Sequence, residues 1–248
     1  MGSDPLNTLC EILGLTETHL VGVPSEFYPG RFRARAGAAA ALNRLVARAA
    51  RAGFQLAIAS AHRSYDRQLL LFNGKCLGDR PVLSESGRTL DRQAMAPEDW
   101  LAAVLRYSAL PGTSRHHWGT DFDIWDRAAV SDDYALQLVP SEYERGGVFG
   151  ELSAWLDEMI AADDAEGFFR PYDVDRGGVA PEPWHISYRP EAATCYDALS
   201  VSTCLPIWRG EPDPLGVCHP ALVMQDAVVA DADGIFERYV LGDHLSGR

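Results

Sequence analysis

Two short segments constrain this chain more than any other part of it. Residues 111–123 read Pro-Gly-Thr-Ser-Arg-His-His-Trp-Gly-Thr-Asp-Phe-Asp, and residues 182–185, about sixty positions on, read Glu-Pro-Trp-His. Between them they offer His116, Asp123 and His185 as three ligands for one metal ion. Two imidazoles and a carboxylate around an open fourth position are what a catalytic zinc requires. Glu182 adds a carboxylate with no evident structural duty, suited to taking a proton from an attacking water. Two neighbours compete for the ligand roles. His117 adjoins His116, and adjacent side chains do not easily point at one ion; Asp121 precedes Asp123 by two residues.

Local pattern places these residues. Gly119 to Trp125 alternates Thr120, Phe122 and Ile124 against Asp121, Asp123 and Trp125, the period of a strand, so Asp121 and Asp123 share a face. His116 falls in the loop entering that strand. Trp184 to Tyr188 alternates in the same way, with Trp184, Ile186 and Tyr188 opposite His185 and Ser187. Pro181 and Pro183 flank Glu182 and rule out a helix interior there, leaving a stiffly held carboxylate at the lip of a strand. A carboxylate is costly to bury among Trp and Phe unless it is paired or metal-bound, which favours a ligand role for Asp123.

Elsewhere the pattern predicts a helix over Ala36 to Ala52 with Leu42, Leu45, Val46 and Ala49 on one face, ended by Gly53. It predicts a buried strand at Phe54 to Ala59 and a helix capped by Ser64 that runs to about Phe72. Asn73 to Ala94 reads as a loop insertion, more a passive loop than a lid over the site. Helices are expected at Pro97 to Ala109 and Glu151 to Ala162, and Gly167 to Asp175 is a connection. Beyond Pro190 come a Pro- and Gly-rich linker near Glu211 to Gly216 and helices at Pro220 to Ala230 and Gly234 to Leu241. Short strands with helices around them, not regularly alternating, point to an α+β fold. One peptidase domain over residues 1–248 is expected, with a core at about 15–190 and residues 191–248 as a C-terminal helical extension packed on it.

The pattern Ser-x-His, then Asp seven residues after that His, then Glu-x-x-His, resembles the VanY-type D-alanyl-D-alanine carboxypeptidases of the LAS group of zinc peptidases. The group also holds L,D-carboxypeptidases, dipeptidases, phage endolysins and the non-peptidase hedgehog domain. A third element agrees: Ser60-Ala-His-Arg-Ser-Tyr-Asp-Arg-Gln68 is similar to the family's Tyr-Arg-Ser-x-x-x-Gln stretch, with His62 where Tyr is more usual. The resemblance runs from roughly Leu15 to Arg189 and implies a LAS/hedgehog-like fold: a small, mainly antiparallel sheet carrying the zinc site, flanked by helices. It selects His116 over His117 and Asp123 over Asp121, and it makes Glu182 the general acid and base. It places Arg63 near the scissile carbonyl, where it can bind the substrate's terminal carboxylate and stabilise the oxyanion. Gln68 then helps hold the substrate backbone or the Arg, and Ser114 bonds the substrate. His117 is left to line the pocket or support the ligands, and Trp118 and Trp184 to wall the pocket or fill the core.

Composition narrows the partners. A formal net charge of −13 argues against nucleic acid and anionic membrane surfaces, and weakly against long residence on an anionic wall polymer. The five cysteines, Cys10, Cys76, Cys195, Cys204 and Cys218, are odd in number and lie outside the motifs. Reduced thiols are expected, with Cys195–Cys204 or Cys204–Cys218 the pairs to check. The opening Met-Gly-Ser-Asp-Pro-Leu-Asn has neither a basic nor an apolar signal region, and no apolar run is long enough to span a membrane. A cytoplasmic zinc carboxypeptidase is therefore expected, removing terminal D-alanine from peptidoglycan stem peptides or muropeptides. A cytoplasmic setting favours an L,D-carboxypeptidase acting on tetrapeptides in cell-wall recycling over a D,D-enzyme acting on D-Ala-D-Ala termini. A peptidoglycan endopeptidase and a catalytically silent zinc module are the remaining alternatives.

Overall fold

A computed structural model describes residues 5–24, 30–84 and 87–242. The reading of the first four residues as part of a leaderless start lies outside them, as do residues 85–86 of the expected insertion. The chain begins with helix α1 (Pro5–Ile12), a two-residue hairpin β1 (Val21–Gly22) and β2 (Arg33–Ala34), and helix α2 (Ala36–Arg51). Strand β3 (Leu56–Ser60), helix α3 (Tyr65–Leu77) and helix α4 (Pro97–Leu105) come next. A 3-10 turn at Arg115–Trp118 leads into strand β4 (Asp121–Asp126). The short helix α5 (Pro140–Tyr143), helix α6 (Gly150–Ala161), strand β5 (Phe168–Phe169) and strand β6 (His185–Tyr188) complete the part that carries the motifs.

Four strands pair antiparallel in the order β3-β4-β6-β5, with β4 in the interior of the sheet. The architecture is α+β, a small antiparallel sheet with helices on both sides, as the sequence implied. All six residues of β4 are buried, so its alternation separates two environments rather than core from solvent. Phe122 and Ile124 join Ile186, α2 and α6 in one apolar cluster that includes Leu42, Leu45, Leu152 and Leu156. Trp125 faces the other way and packs with Tyr143, Phe149 and Trp184. The register sets Asp123 opposite His185 and Asp121 opposite Ser187. On its other edge β4 meets β3 with a bulge between Ile58 and Ser60, which leaves Ser60 level with Asp123. A bulge of this kind re-aims the strand end, here the stretch that leads to Arg63.

Several boundaries differ from the sequence reading, each for a physical reason. Helix α3 is capped by Ser64, whose hydroxyl accepts from Arg67 N, but it runs past Phe72 to Leu77. Leu69, Phe72 and Cys76 recur at helical spacing and stay buried, and the helix stops only where Gly78 takes a left-handed φ of 84°. In the segment after α3, residues 81–84 and Gly87 line the cavity onto which the motif residues open. Helix α4 ends at Leu105 rather than Ala109, with its last buried apolar pair, Val104 and Leu105. Phe168–Phe169 forms a strand inside the expected connection. Trp184 lies just before β6 and packs with Tyr143, away from Ile186 and Tyr188.

The C-terminal part is more helical than its composition suggested. Helix α7 (Arg189–Ala198) starts immediately after β6, with Pro190 in its first turn, a position that needs no backbone N–H. Helix α8 (Val201–Trp208) contains Pro206, which masked it in the sequence. Helix α9 (Gln225–Ala230) is shorter than expected, and helix α10 (Ala232–Phe236) passes into a π-turn at Glu237–Leu241. These helices share one apolar cluster with α3 and α4, through Trp208, Phe236, Phe72 and Trp100 among others. They also grip the first motif. Trp208 Nε1 donates to Pro111 O at 2.9 Å. No disulfide joins the cysteines among the described residues, so neither candidate pair forms. None of the described helices is long and apolar enough to cross a membrane. Replacing the buried Trp208 with Ala removes a large side chain and orphans Pro111 O; chemical denaturation should show a loss of about 3–5 kcal/mol.

Candidate active site

The two motif segments meet because β4 and β6 are hydrogen-bonded neighbours. His116, Asp123 and His185 each offer a ligand atom, all within 4.8 Å of one another, and all three side chains are buried. Each imidazole has one nitrogen committed elsewhere. His116 Nδ1 donates to Ala61 O at 2.9 Å, which leaves Nε2 facing Asp123 Oδ2 at 3.3 Å. His185 Nε2 bonds Asp121 Oδ1 at 2.9 Å, which turns Nδ1 toward Asp123 Oδ1 at 3.0 Å. This is how protein metal sites fix imidazole tautomer and aim, with an outer carbonyl or carboxylate on the far ring nitrogen. Two nitrogens and a carboxylate converging on an open cleft suit zinc.

Buried charge explains why the cluster holds together. Asp121 is fully buried and receives Arg115 Nε at 2.9 Å, while Arg115 Nη2 donates to Ser187 Oγ at 2.7 Å. Burial works to raise the pKa of Asp121, but the Arg115 charge and the His185 bond lower it to about 2. Burial likewise opposes ionisation of Asp123, and His116 and His185 overcome it and hold the carboxyl below the ordinary range. Burial disfavours a charged His185 too, yet its bonds to Asp121 and Asp123 outweigh that and raise its pKa. His116, with burial dominant, is pushed down and stays neutral. Arg115 stacks over the Trp118 ring, 4.6 Å from its centroid, which accounts for Trp118 as a core residue outside the cleft wall.

Glu182 lies at the edge of this cluster, its Oε2 3.6 Å from His185 Nδ1. Burial raises its pKa to about 7, so it can both take and give a proton near neutrality. Its backbone is pinned, with Glu182 N donating to Tyr172 O and Glu182 O accepting from His185 N, both at 3.0 Å. Arg63 reaches the same cleft from the end of β3. Its Nη1 donates to Gln68 Oε1 at 2.8 Å, and Gln68 Nε2 donates to Ala109 O at 2.6 Å, so Gln68 holds the Arg and does not line the cleft. His117 also stays out of the cleft. Its Nε2 accepts from Gly112 N and its Nδ1 donates to Arg63 O at 2.6 Å, so it anchors the Arg63 backbone. Gly14 is required beneath it, because a Cβ there would come 2.4 Å from His117 Nδ1.

Arg63, Ser114, His116, Asp123, Glu182, Trp184 and His185 open together onto a cavity of about 480 Å³. The candidate ligands, the carboxylate, the guanidinium and Ser114 are thus gathered in one place, with Gln68 and His117 one layer behind. Sequence reasoning missed Arg115, Tyr172 and Lys75. Arg115 sits inside the first motif, where a basic side chain beside a buried strand was the available signal. Tyr172, whose ring packs edge-on to His185 at 5.0 Å, and Lys75 carry no local signal.

Comparison with known proteins fits this geometry. The family model described as VanY, D-alanyl-D-alanine carboxypeptidase, matches residues 31–191, well over half of the chain and all of the cleft residues named above. This chain belongs to the VanY family. A Haemophilus influenzae protein described as uncharacterized is 36% identical to this VanY-family chain over 132 residues, 53% of this chain and 93% of the relative. Among solved structures, the D,D-pentapeptidase VanY of a VanB-type resistance cassette, a point mutant in complex with Zn(II), is 23% identical with a TM-score of 0.48, covering 73% of this chain and 85% of that one. The LD-carboxypeptidase LdcB is 23% identical with a TM-score of 0.47, covering 74% and 75%. If Asp121 orients His185, Asp121→Asn should weaken zinc binding about 10–100-fold in a chelator competition while the far-ultraviolet spectrum stays unchanged.

Proposed function

We propose that this protein is a zinc-dependent carboxypeptidase that removes the terminal D-alanine of peptidoglycan stem peptides, and that its substrate is the tetrapeptide, cut as an L,D-carboxypeptidase. The observation that carries the reading is the trio His116, Asp123 and His185 facing Glu182 and Arg63 across one cavity. The three ligands would hold the ion, which when bound supplies Lewis acidity to the reacting carbonyl and to the attacking water. Glu182 takes the proton from that water and delivers it to the departing amine; its half-buried carboxyl, with the pKa raised to about 7, suits both duties. Arg63, locked by Gln68 and by Ser60 Oγ at 3.3 Å, presents a fixed cation to the charge that develops on the carbonyl oxygen. Ser114, at the cleft wall, offers a hydroxyl to the peptide backbone.

Preference for the tetrapeptide rests on the setting. A net charge of −13 works against residence on an anionic wall polymer and suits small diffusing peptides, such as tetrapeptides freed by wall turnover and recovered in the cytoplasm. The D,D reading has one observation in its favour, the D-alanyl-D-alanine specificity in the description of the matching family.

Glu182→Gln keeps the shape of the side chain and removes the base. Turnover should fall about 100- to 10,000-fold with zinc still bound one to one, read by peptide hydrolysis and metal analysis on the same sample. Retained turnover would exclude the proposed role. Specificity is read by mass spectrometry of tetrapeptide and pentapeptide muropeptides incubated with zinc-loaded enzyme, with a chelator control. Loss of one alanine from the tetrapeptide alone is expected, and loss from the pentapeptide alone would establish the D,D reading instead.

A further inference from the structure

The cleft holds a second cation that the proposed reaction does not use. Lys75 lies on α3 seven residues after Gln68, two helical turns or about 10 Å along the same face. Its side chain lines the cavity. Nζ donates to Tyr107 O at 3.0 Å. An ammonium has three protons to give, so that bond leaves two. Among the described residues no carboxylate comes within the 4.0 Å of an ion pair. Glu182, the acid that acts on Lys75 most strongly through space, stands farther off. Burial lowers the pKa of Lys75 to about 8, still charged at neutral pH. A half-buried ammonium without a counter-ion is a costly arrangement that a bound anion would relieve.

The surroundings define the anion. The cavity that Lys75 lines is also walled by Pro81, Val82 and Leu83 and by Tyr107 to Ala109 on the segment that follows α4, where Tyr107 O accepts from Lys75. Apolar wall and cation in one cavity match a small residue that ends in a carboxylate, with a methyl group against the aliphatic side chains. Arg63 is tied by Gln68 and Ser60 at the ligand cluster, so it is already aimed at the reacting carbonyl. Lys75, Arg63 and Glu182 line the same cavity, so both cations are open to one substrate.

We propose that Lys75 is the anchor for the substrate's terminal carboxylate, with the Pro81–Leu83 wall receiving the departing D-alanine, so that Arg63 is left to the carbonyl oxygen. This rests on the carboxypeptidase reading and adds the residue that makes the enzyme cut only at a free C-terminus.

The test uses the zinc-loaded Glu182→Gln protein, which should bind without cutting, and the stem peptide that the wild type cleaves, prepared as the free acid and as the C-terminal amide. Calorimetry should show the amide binding about 30-fold or more weakly than the acid. Adding Lys75→Met should weaken the acid to the level of the amide and leave the amide and the zinc content unchanged. Lys75→Gln provides the same comparison if the Met variant is poorly folded, and in the otherwise wild-type enzyme either change should raise KM for the acid far more than it lowers kcat. An acid-over-amide preference that survives both substitutions overturns the assignment to Lys75 alone. Failure of any stem peptide to bind or be cleaved overturns the carboxypeptidase reading and this assignment with it.

Discussion

The whole site hangs on the pairing of β4 with β6. Asp123 and His185 are cross-strand partners, so two candidate ligands sixty-two positions apart in the chain face each other because a sheet register says so. Side chains alternate across a strand, and a slip of one residue would send Asp123 into the apolar cluster and Phe122 into the cleft. Phe122, Ile124 and Ile186, all buried on the opposite face, are what prevent that slip. The hydrophobic core therefore fixes the geometry of the polar site, and a ligand set of this kind needs no flexible loop to close around the metal.

Behind that pair stands a chain of buried polar groups: Arg115 on Asp121, Asp121 on His185, His185 on Asp123, Asp123 facing the neutral His116. Each ion among them is buried only because a neighbour has the opposite sign or donates a hydrogen bond. Removing one member strands the next, which is why such networks are brittle to substitution and geometrically well defined in the intact protein. Arg115 also reaches Ser187 on β6, so the same guanidinium spans both strands that carry the ligands.

The cleft itself is assembled from distant parts. Helix α3 brings Lys75, with Gln68 one layer behind, the segment after it supplies an apolar wall, and residues 137–141 supply a further part of the lining. Among the described residues none of the C-terminal helices lines the cleft, yet Trp208 holds Pro111 at the root of the first motif and His219 joins Asp66 on α3 to Asp213. They act as a brace on the loop that delivers His116.

Residue type and spacing, with the family resemblance to choose between neighbours, nominated the candidate residues of the cleft and set out the local form of its parts. They pointed to His116, Asp123, His185 and Glu182, alternation made β4 and β6 strands, and Ser64 marked the start of α3. These are properties of neighbours in the chain, and a backbone period of two or 3.6 residues writes them into composition directly. Folding in three dimensions settled where side chains with several options spend their hydrogen bonds. Gln68 was open between substrate and Arg63, His117 between pocket and support, and Asp121 competed with Asp123 for the ligand role; each was fixed by a partner 5 to 64 residues away in the chain. Lys75 was invisible for the same reason, and Arg115 was passed over despite its place in the first motif, since a cation reads as solvated until the fold closes walls around it. Helices α7 and α8 escaped because proline reads as a break, whereas Pro190 sits where a helix tolerates it and Pro206 is carried by packing of Trp208 and Ile207. Burial is a property of the whole chain, and no short window of sequence contains it.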